Sequence, residues 1–287
     1  MSKTAYPYIP KNHIRNIGPC SLQGLNKELS IINSFCSLAW SDDWKHISSV
    51  FSFFPTILLY GPPGTGKTSA IKTIANNFLS TYDVTSFRYY RENVDLIIQK
   101  ELGETSKSIR DLFAQIKNDA RNGFRVILHL EDIDSLLASR YIQSEATGIR
   151  RAVNTFFLQL DELILVEYEM TPLLFATSNM HSILDVAISR RFSLKLSIDP
   201  ELTNEDIIAI LQPMIDIIGL KIQGSSVTNI IRKNRLRPYD IILVMQNLLL
   251  RQKSGDFIDE SELINSLQTM QSSADTMESQ KRMFASS

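Results

Sequence analysis

Gly61-Pro62-Pro63-Gly64-Thr65-Gly66-Lys67-Thr68 decides the fold of this chain of 287 residues. Two glycines with four residues between them precede Lys67-Thr68. Glycines let the backbone curl until successive N–H groups converge on phosphate oxygens. The Lys67 ammonium reaches the β- and γ-phosphates of a nucleotide, and the Thr68 hydroxyl is a Mg²⁺ ligand. The preceding run Thr56-Ile57-Leu58-Leu59-Tyr60 is predicted to be a buried strand, and Ser69 to Leu79 a helix. That helix offers the positive end of its dipole to the loop. Strand, glycine-rich loop and helix in this order form the context that a phosphate-binding loop requires. A plain Gly/Pro turn would leave both flanks unexplained.

On either side of this unit the apolar spacing alternates between period 2 and period 3.6. Further strands are predicted at Phe87 to Tyr90, Phe124 to Leu130, Pro172 to Thr177 and Ser193 to Ile198. Helices are predicted at Leu22 to Trp40, Ser106 to Ala120 and Gly148 to Leu163. Trp40 and Trp44 bracket a Ser-Asp-Asp turn and read as packing under the first helix. The fold class is α/β, a five-stranded parallel sheet covered by helices on both faces. Asp199-Pro200 marks a boundary. Beyond it the pattern is helical only, at Asn204 to Ile218, Ser226 to Lys233, Pro238 to Arg251 and Asp259 to Met270. The expected organisation is an N-terminal arm over 1–21, a large α/β domain over 22–199 and a helical lid over 200–270. A polar, Ser-rich tail over 271–287 is expected to be disordered.

Composition narrows the class of partner. Hydrophobic residues make up 44% and charged residues 21%, a globular balance. The formal net charge of −1 gives no global basic footprint for nucleic acid. Cys20 and Cys36 match no zinc spacing and suit a reducing compartment. Met1 to Asn16 has no apolar signal core, and no apolar run approaches the ~20 residues of a membrane span. A soluble, intracellular protein of cytoplasm or nucleus is expected.

Polar groups recur at the ends of the predicted strands. The third strand runs into Glu131-Asp132-Ile133-Asp134. In phosphate-loop enzymes a carboxylate here holds Mg²⁺, and a neighbouring one polarises the attacking water. The fourth strand ends at Ser178-Asn179, where an Asn orients water beside the γ-phosphate. Arg190-Arg191-Phe192 precedes the fifth strand, and an arginine there stabilises charge on a transferring phosphoryl group. His129, inside the third strand, reads as a packed core histidine.

Together these pieces resemble an AAA+ ATPase module over about Leu22 to Leu267. The matching segments are Gly61 to Thr68 (Walker A), Leu128 to Asp134 (Walker B region), Ser178-Asn179 (first sensor) and Ile188 to Phe192 (arginine fingers). Leu102-Gly103-Glu104 with Ile109 to Phe113 is similar to the pore loop and the following helix, Arg150 to Asn154 with Leu158 to Asp161 to the helix after Walker B, and Ile258 to Leu267 to the end of the lid. The chain looks most like the protein-remodelling branch that includes katanin, spastin and the HORMA-remodelling ATPases. The resemblance implies Mg²⁺-ATP hydrolysis in a ring, commonly a hexamer, of this chain or related subunits acting on a protein. It implies Lys67 and Thr68 on phosphate and metal, Glu131 assisting the metal and Asp132 as base. It also implies Asn179 positioning water, and Arg190 and Arg191 completing a neighbour's site. Arg235 or Arg237, before Pro238, corresponds to the lid arginine that touches nucleotide.

Three departures accompany the match. The order Glu131-Asp132 reverses the family's usual Asp-Glu, as in the related mitochondrial Rieske-protein translocases. Glu101 stands where the pore loop carries an aromatic, and no separate N-terminal substrate-recognition domain is expected. Two rival readings stay open: a DNA-directed AAA+ loader or motor, and a non-hydrolysing, ATP-gated scaffold subunit.

Overall fold

The computed structural model describes residues 22–93, 104–134, 147–179, 190–222 and 224–273. The expected N-terminal arm, Cys20, Glu101 and the pore-loop Leu102-Gly103 lie outside them, as do Ile188-Ser189 and the chain from 274 onward. By its internal contacts the chain divides into two compact units. One takes Leu29–Gly61 and Ile71–Ser197; the other takes Pro62–Ala70, the chain up to Glu28 and the chain from Ile198.

The first unit is the sheet. Its strands are β1 (Thr56–Tyr60), β2 (Phe87–Asn93), β3 (Arg125–Glu131), β4 (Leu173–Ser178) and β5 (Leu194–Ser197). They run in the order β2-β3-β4-β1-β5, and every pairing is parallel. β4 is buried at every position and β1 at all but Tyr60, because helices cover both faces and no position alternates toward water. β5 lies at an edge and alternates.

The helices of this unit are α1 (Asn26–Ala39), α2 (Trp44–Phe51), α3 (Lys67–Thr81), α4 (Glu104–Arg121) and α5 (Thr147–Leu165), with α1 and α3 extending from the second unit. On one face Leu58, Tyr90, Leu128, Leu130, Leu174 and Ala176 share a core with Ile109, Leu112, Phe113 and Ile116 of α4 and Val153, Phe156 and Leu160 of α5. Those helical positions recur at three- and four-residue spacing, which sets one apolar stripe on the sheet. Trp40 packs edge-on against Phe78, Tyr82 and Phe87, and Trp44 against Phe35 of α1. The sequence reading assigned no element to α2. It is a short helix of eight residues that buries Trp44 and leaves Val50 and Phe51 exposed. β2 runs three residues beyond its predicted end at Tyr90 and carries Arg91 and Asn93 into the sheet.

The second unit contains α6 (Asn204–Ile218), α7 (Gly224–Lys233), α8 (Pro238–Lys253) and α9 (Glu260–Thr269). Each boundary has a local cause. Thr203 and Asp206 form a reciprocal capping box on α6, and Gly219 ends it in the left-handed conformation. α8 begins with Pro238 at its first helical position, and the Asp240 carboxylate accepts the Arg237 N–H at 2.9 Å. Ile207, Leu211, Val227, Ile231, Ile241, Met245 and Leu263 are among the residues of its core. The disorder expected from 271 is corrected at its start. Ser272 is buried, its hydroxyl donating to the Arg235 carbonyl, and Ser273 is hydrogen-bonded as well. Among the described residues no helix is long and apolar enough to cross a membrane.

Candidate active site

The loop after β1 is shaped by bonds that close within itself. Thr65 Oγ1 and Lys67 Nζ both donate to the Pro62 carbonyl, at 2.9 and 2.8 Å. Gly64 has φ of 75°, where an L side chain is strained. A Cβ there would also stand 3.0 Å from Tyr239 Cβ, so conformation and crowding both disfavour a side chain at this position. α3 begins at Lys67, which puts the positive end of its dipole where the loop ends. A curled backbone, a lysine and a helix start form the donor set that fits a triphosphate. Mg²⁺ takes few protein ligands and completes its shell with phosphate oxygens and water. The Thr68 hydroxyl suits that role, and among the described residues no cluster of three His, Cys, Asp or Glu makes a separate metal centre.

In the sheet unit, β1, β3 and β4 end at one edge. The Gly61 N–H donates to the Ser178 carbonyl at 3.2 Å. Glu131 is the last residue of β3, paired in register with Asn93, whereas the sequence reading put it just past the strand. Its carboxylate is held by Arg91 Nη2, 2.9 Å from Oε1 and 2.7 Å from Oε2. Asp132 turns the chain with φ of 50°, a conformation that Asp tolerates better than most residues. Its N–H donates to Thr177 Oγ1 at 3.2 Å, and its Oδ1 accepts from Asn179 Nδ2 at 2.9 Å. Asp134 accepts from Ser178 Oγ at 2.5 Å and from the Asn179 N–H at 2.8 Å. The structure therefore brings Asp132 and Asn179 together, with Asp134 securing the Asn179 backbone.

Beneath this edge, His129 is fully buried and its Nδ1 lies 2.8 Å from the Tyr89 hydroxyl. Burial lowers its pKa to about 3, helped by the nearby charges of Arg91 and Lys72. It stays neutral in the core, as expected of a packed histidine. Arg91 and Asp134 were missed as site residues. Arg91 was hidden by the early end assigned to β2, while Asp134 stood in the quoted acidic run.

A family model described as "ATPase family associated with various cellular activities (AAA)" matches residues 57–200. The chain belongs to the AAA ATPase family. Among its curated relatives, CD-NTase-associated protein 6 of Pseudomonas aeruginosa is 29% identical over 154 residues, 52% of this chain and 50% of that protein. An "AAA ATPase forming ring-shaped complexes" of Bifidobacterium adolescentis is 32% identical over 50% of this chain and 28% of its own length. The chain thus spans half or less of the length of these relatives. Among solved structures, one of a HORMA:CdnC:Trip13 complex of E. coli MS115-1 matches with a TM-score of 0.72 at 17% identity, covering 88% of this chain and 90% of that one. The FIGL-1 AAA domain in complex with ADP matches at 0.68 and 20% identity, covering 94% and 89%. These two likenesses concern the fold.

In this AAA domain the paired arginines part ways. Arg191 Nε and Nη2 bind Asp161 Oδ1 and Oδ2 at 2.6 and 2.7 Å, and its guanidinium lies 4.9 Å from the Phe157 ring centroid. Its carbonyl accepts from Thr56 Oγ1 at 2.6 Å. Arg191 thus fastens the segment before β5 to α5 and β1 of its own chain, while Arg190 is exposed. No pattern in the sequence marked Asp161 as its partner. Arg237 is ion-paired with Asp199 at the N-cap of α8, which engages the side chain matched to the lid arginine.

Proposed function

We propose that this AAA domain hydrolyses Mg²⁺-ATP in an oligomeric ring, a hexamer in the family's usual form, and uses the hydrolysis to remodel a protein substrate. Residues 22–199 carry the ATPase and 200–270 form its helical lid. One observation carries the hydrolytic reading: the Asp132 carboxylate is held by the Asn179 amide at 2.9 Å. A base must be oriented before it can take a proton from water, and a fixed hydrogen bond orients it. In this reading Gly61 to Thr68 cradle the phosphates. Lys67 neutralises them, Thr68 and Glu131 serve the metal, and Asp132 takes the proton. Mg²⁺ held by Thr68 and Glu131 would supply positive charge to the phosphates. Arg190 is the arginine that completes a neighbour's site, because Arg191 is engaged by Asp161. Ring assembly and a protein substrate are supported by relatives named as ring-forming ATPases, a proteasome regulatory subunit and a spastin homologue. A reducing compartment, cytoplasm or nucleus, belongs to the same proposal.

A second reading, an ATP-gated subunit with slow or no turnover, is favoured by the Arg91–Glu131 ion pair, which engages the proposed metal carboxylate. ATP turnover measured against protein concentration separates the two. The ring hydrolase rises more than linearly as light scattering shows assembly, because Arg190 acts on the next subunit. An assembled ring with no turnover overturns the hydrolytic reading in favour of the gated one.

A further inference from the structure

The first turn of α8 and the chain just past α9 converge on the outer side of the phosphate loop, within the helical unit. Ser273 Oγ lies 3.3 Å from the Pro63 carbonyl and 3.3 Å from Asp240 Oδ2. A hydroxyl has one proton to donate. Asp240 is fully buried, and its Oδ2 already accepts the Arg237 N–H at 2.9 Å and the Ser273 N–H at 3.4 Å. The hydroxyl is placed to donate to either acceptor, and the Pro63 carbonyl is the one that belongs to the phosphate loop. The strap is anchored one residue earlier, where buried Ser272 donates to the Arg235 carbonyl at 3.2 Å. Tyr239 lies against Gly64 from the same turn: a Cβ on Gly64 would stand 3.0 Å from Tyr239 Cβ and 3.2 Å from Ser273 Oγ.

We infer that Ser273 is a positioning residue for the phosphate loop, a latch by which the end of the helical unit holds the loop in its curled form. Pro63 contributes no N–H to the nest and its ring fixes φ, so a donor on its carbonyl acts on the orientation of the Pro63–Gly64 peptide. That peptide's N–H belongs to Gly64, at the turn of the loop. The phosphate loop is then read from outside the motif, at a residue more than two hundred positions away in sequence. Binding at one end of such a contact must act on the other. Nucleotide tightens the strap, and whatever pulls the chain after Ser273 loosens the grip on nucleotide. This inference rests on the ATPase reading for its consequence, but not for its geometry.

Two measurements test it on the full chain. Ser273→Ala is expected to raise the KM for ATP roughly three- to tenfold, the scale of one hydrogen bond, with kcat at saturating ATP unchanged. Without nucleotide, the Gly64 and Thr65 amides are expected to exchange hydrogen faster in Ser273→Ala. Ser273→Asp is expected to show the larger loss, since its carboxylate would face both the Pro63 carbonyl and Asp240. A KM within twofold of the parent together with unchanged exchange at Gly64 and Thr65 overturns the latch. A fall in kcat at constant KM also overturns it, as a general structural defect. If the parent does not turn over ATP, the ATPase reading fails instead, and the exchange rates still decide whether Ser273 holds the loop.

Discussion

The phosphate loop and the acidic edge of the sheet are both polar clusters that follow a strand, yet they are held in different ways. Inside the loop, the donors to the Pro62 carbonyl come from three and five residues away. At the edge, Glu131, Asp132 and Asp134 are each bound by partners 40 to 47 residues away. The loop owes its shape chiefly to backbone geometry, which travels with the motif, and takes one distant donor, Ser273, on the Pro63 carbonyl. The edge exists only when β2, β3 and β4 are in register. Of the two, the edge is the part most exposed to changes elsewhere in the fold.

The sharpest way to separate the two regions is by what each supports. A group that orients water acts in the transition state, whereas a phosphate donor also supports the ground state. Asp132→Asn keeps the size and removes the charge. Its turnover is expected to fall about 10²-fold or more, the scale of general-base catalysis, while ATP affinity stays near that of the parent. Lys67→Ala is expected to fail at the earlier step, with ATP affinity greatly reduced. Titration with a fluorescent ATP analogue and single-turnover hydrolysis at saturating nucleotide measure the pair. Equal turnover in Asp132→Asn and the parent removes Asp132 from the chemistry.

Acid probes the long-range wiring next. His129 is held neutral, with a pKa near 3 against an ordinary value of 6.5. Between those values the unfolded chain binds a proton that the folded chain refuses, so stability falls as the pH drops below 6.5. From pH 7 to pH 5 the loss from this residue is about 2 kcal/mol. His129→Phe is expected to shrink the pH dependence of urea unfolding by that amount. An undiminished dependence would assign the acid sensitivity to other groups.

The smallest effect tests the Arg91–Glu131 pair. Arg91 is 37% exposed at its side chain, and partly exposed pairs of this kind are worth up to about 1 kcal/mol. Arg91→Ala is expected to lower the Mg²⁺ concentration for half-maximal turnover by roughly two- to fivefold, because Glu131 is released to the metal. A magnesium titration of turnover reads it, and an unshifted midpoint would take Glu131 out of the metal site.

The sequence by itself determined the phosphate loop, the order of strands and helices, and the helical part after Asp199-Pro200. Glycines, apolar periodicity and capping residues act over a few positions, so their consequences are readable in order along the chain. It also placed Glu131, Asp132 and Asn179 at strand ends. Only the tertiary structure decided what each of them touches. Parallel register set Arg91 beside His129 and brought its guanidinium to Glu131. The meeting of β3 and β4 gave Asp132 to Asn179, and the packing of α5 gave Arg191 to Asp161. Side chains of like charge at adjacent positions, Glu131 and Asp132 or Arg190 and Arg191, are interchangeable in a sequence pattern. They become distinct because a hydrogen bond needs its partner within about 3 Å, and partners tens of residues away arrive only when the sheet closes.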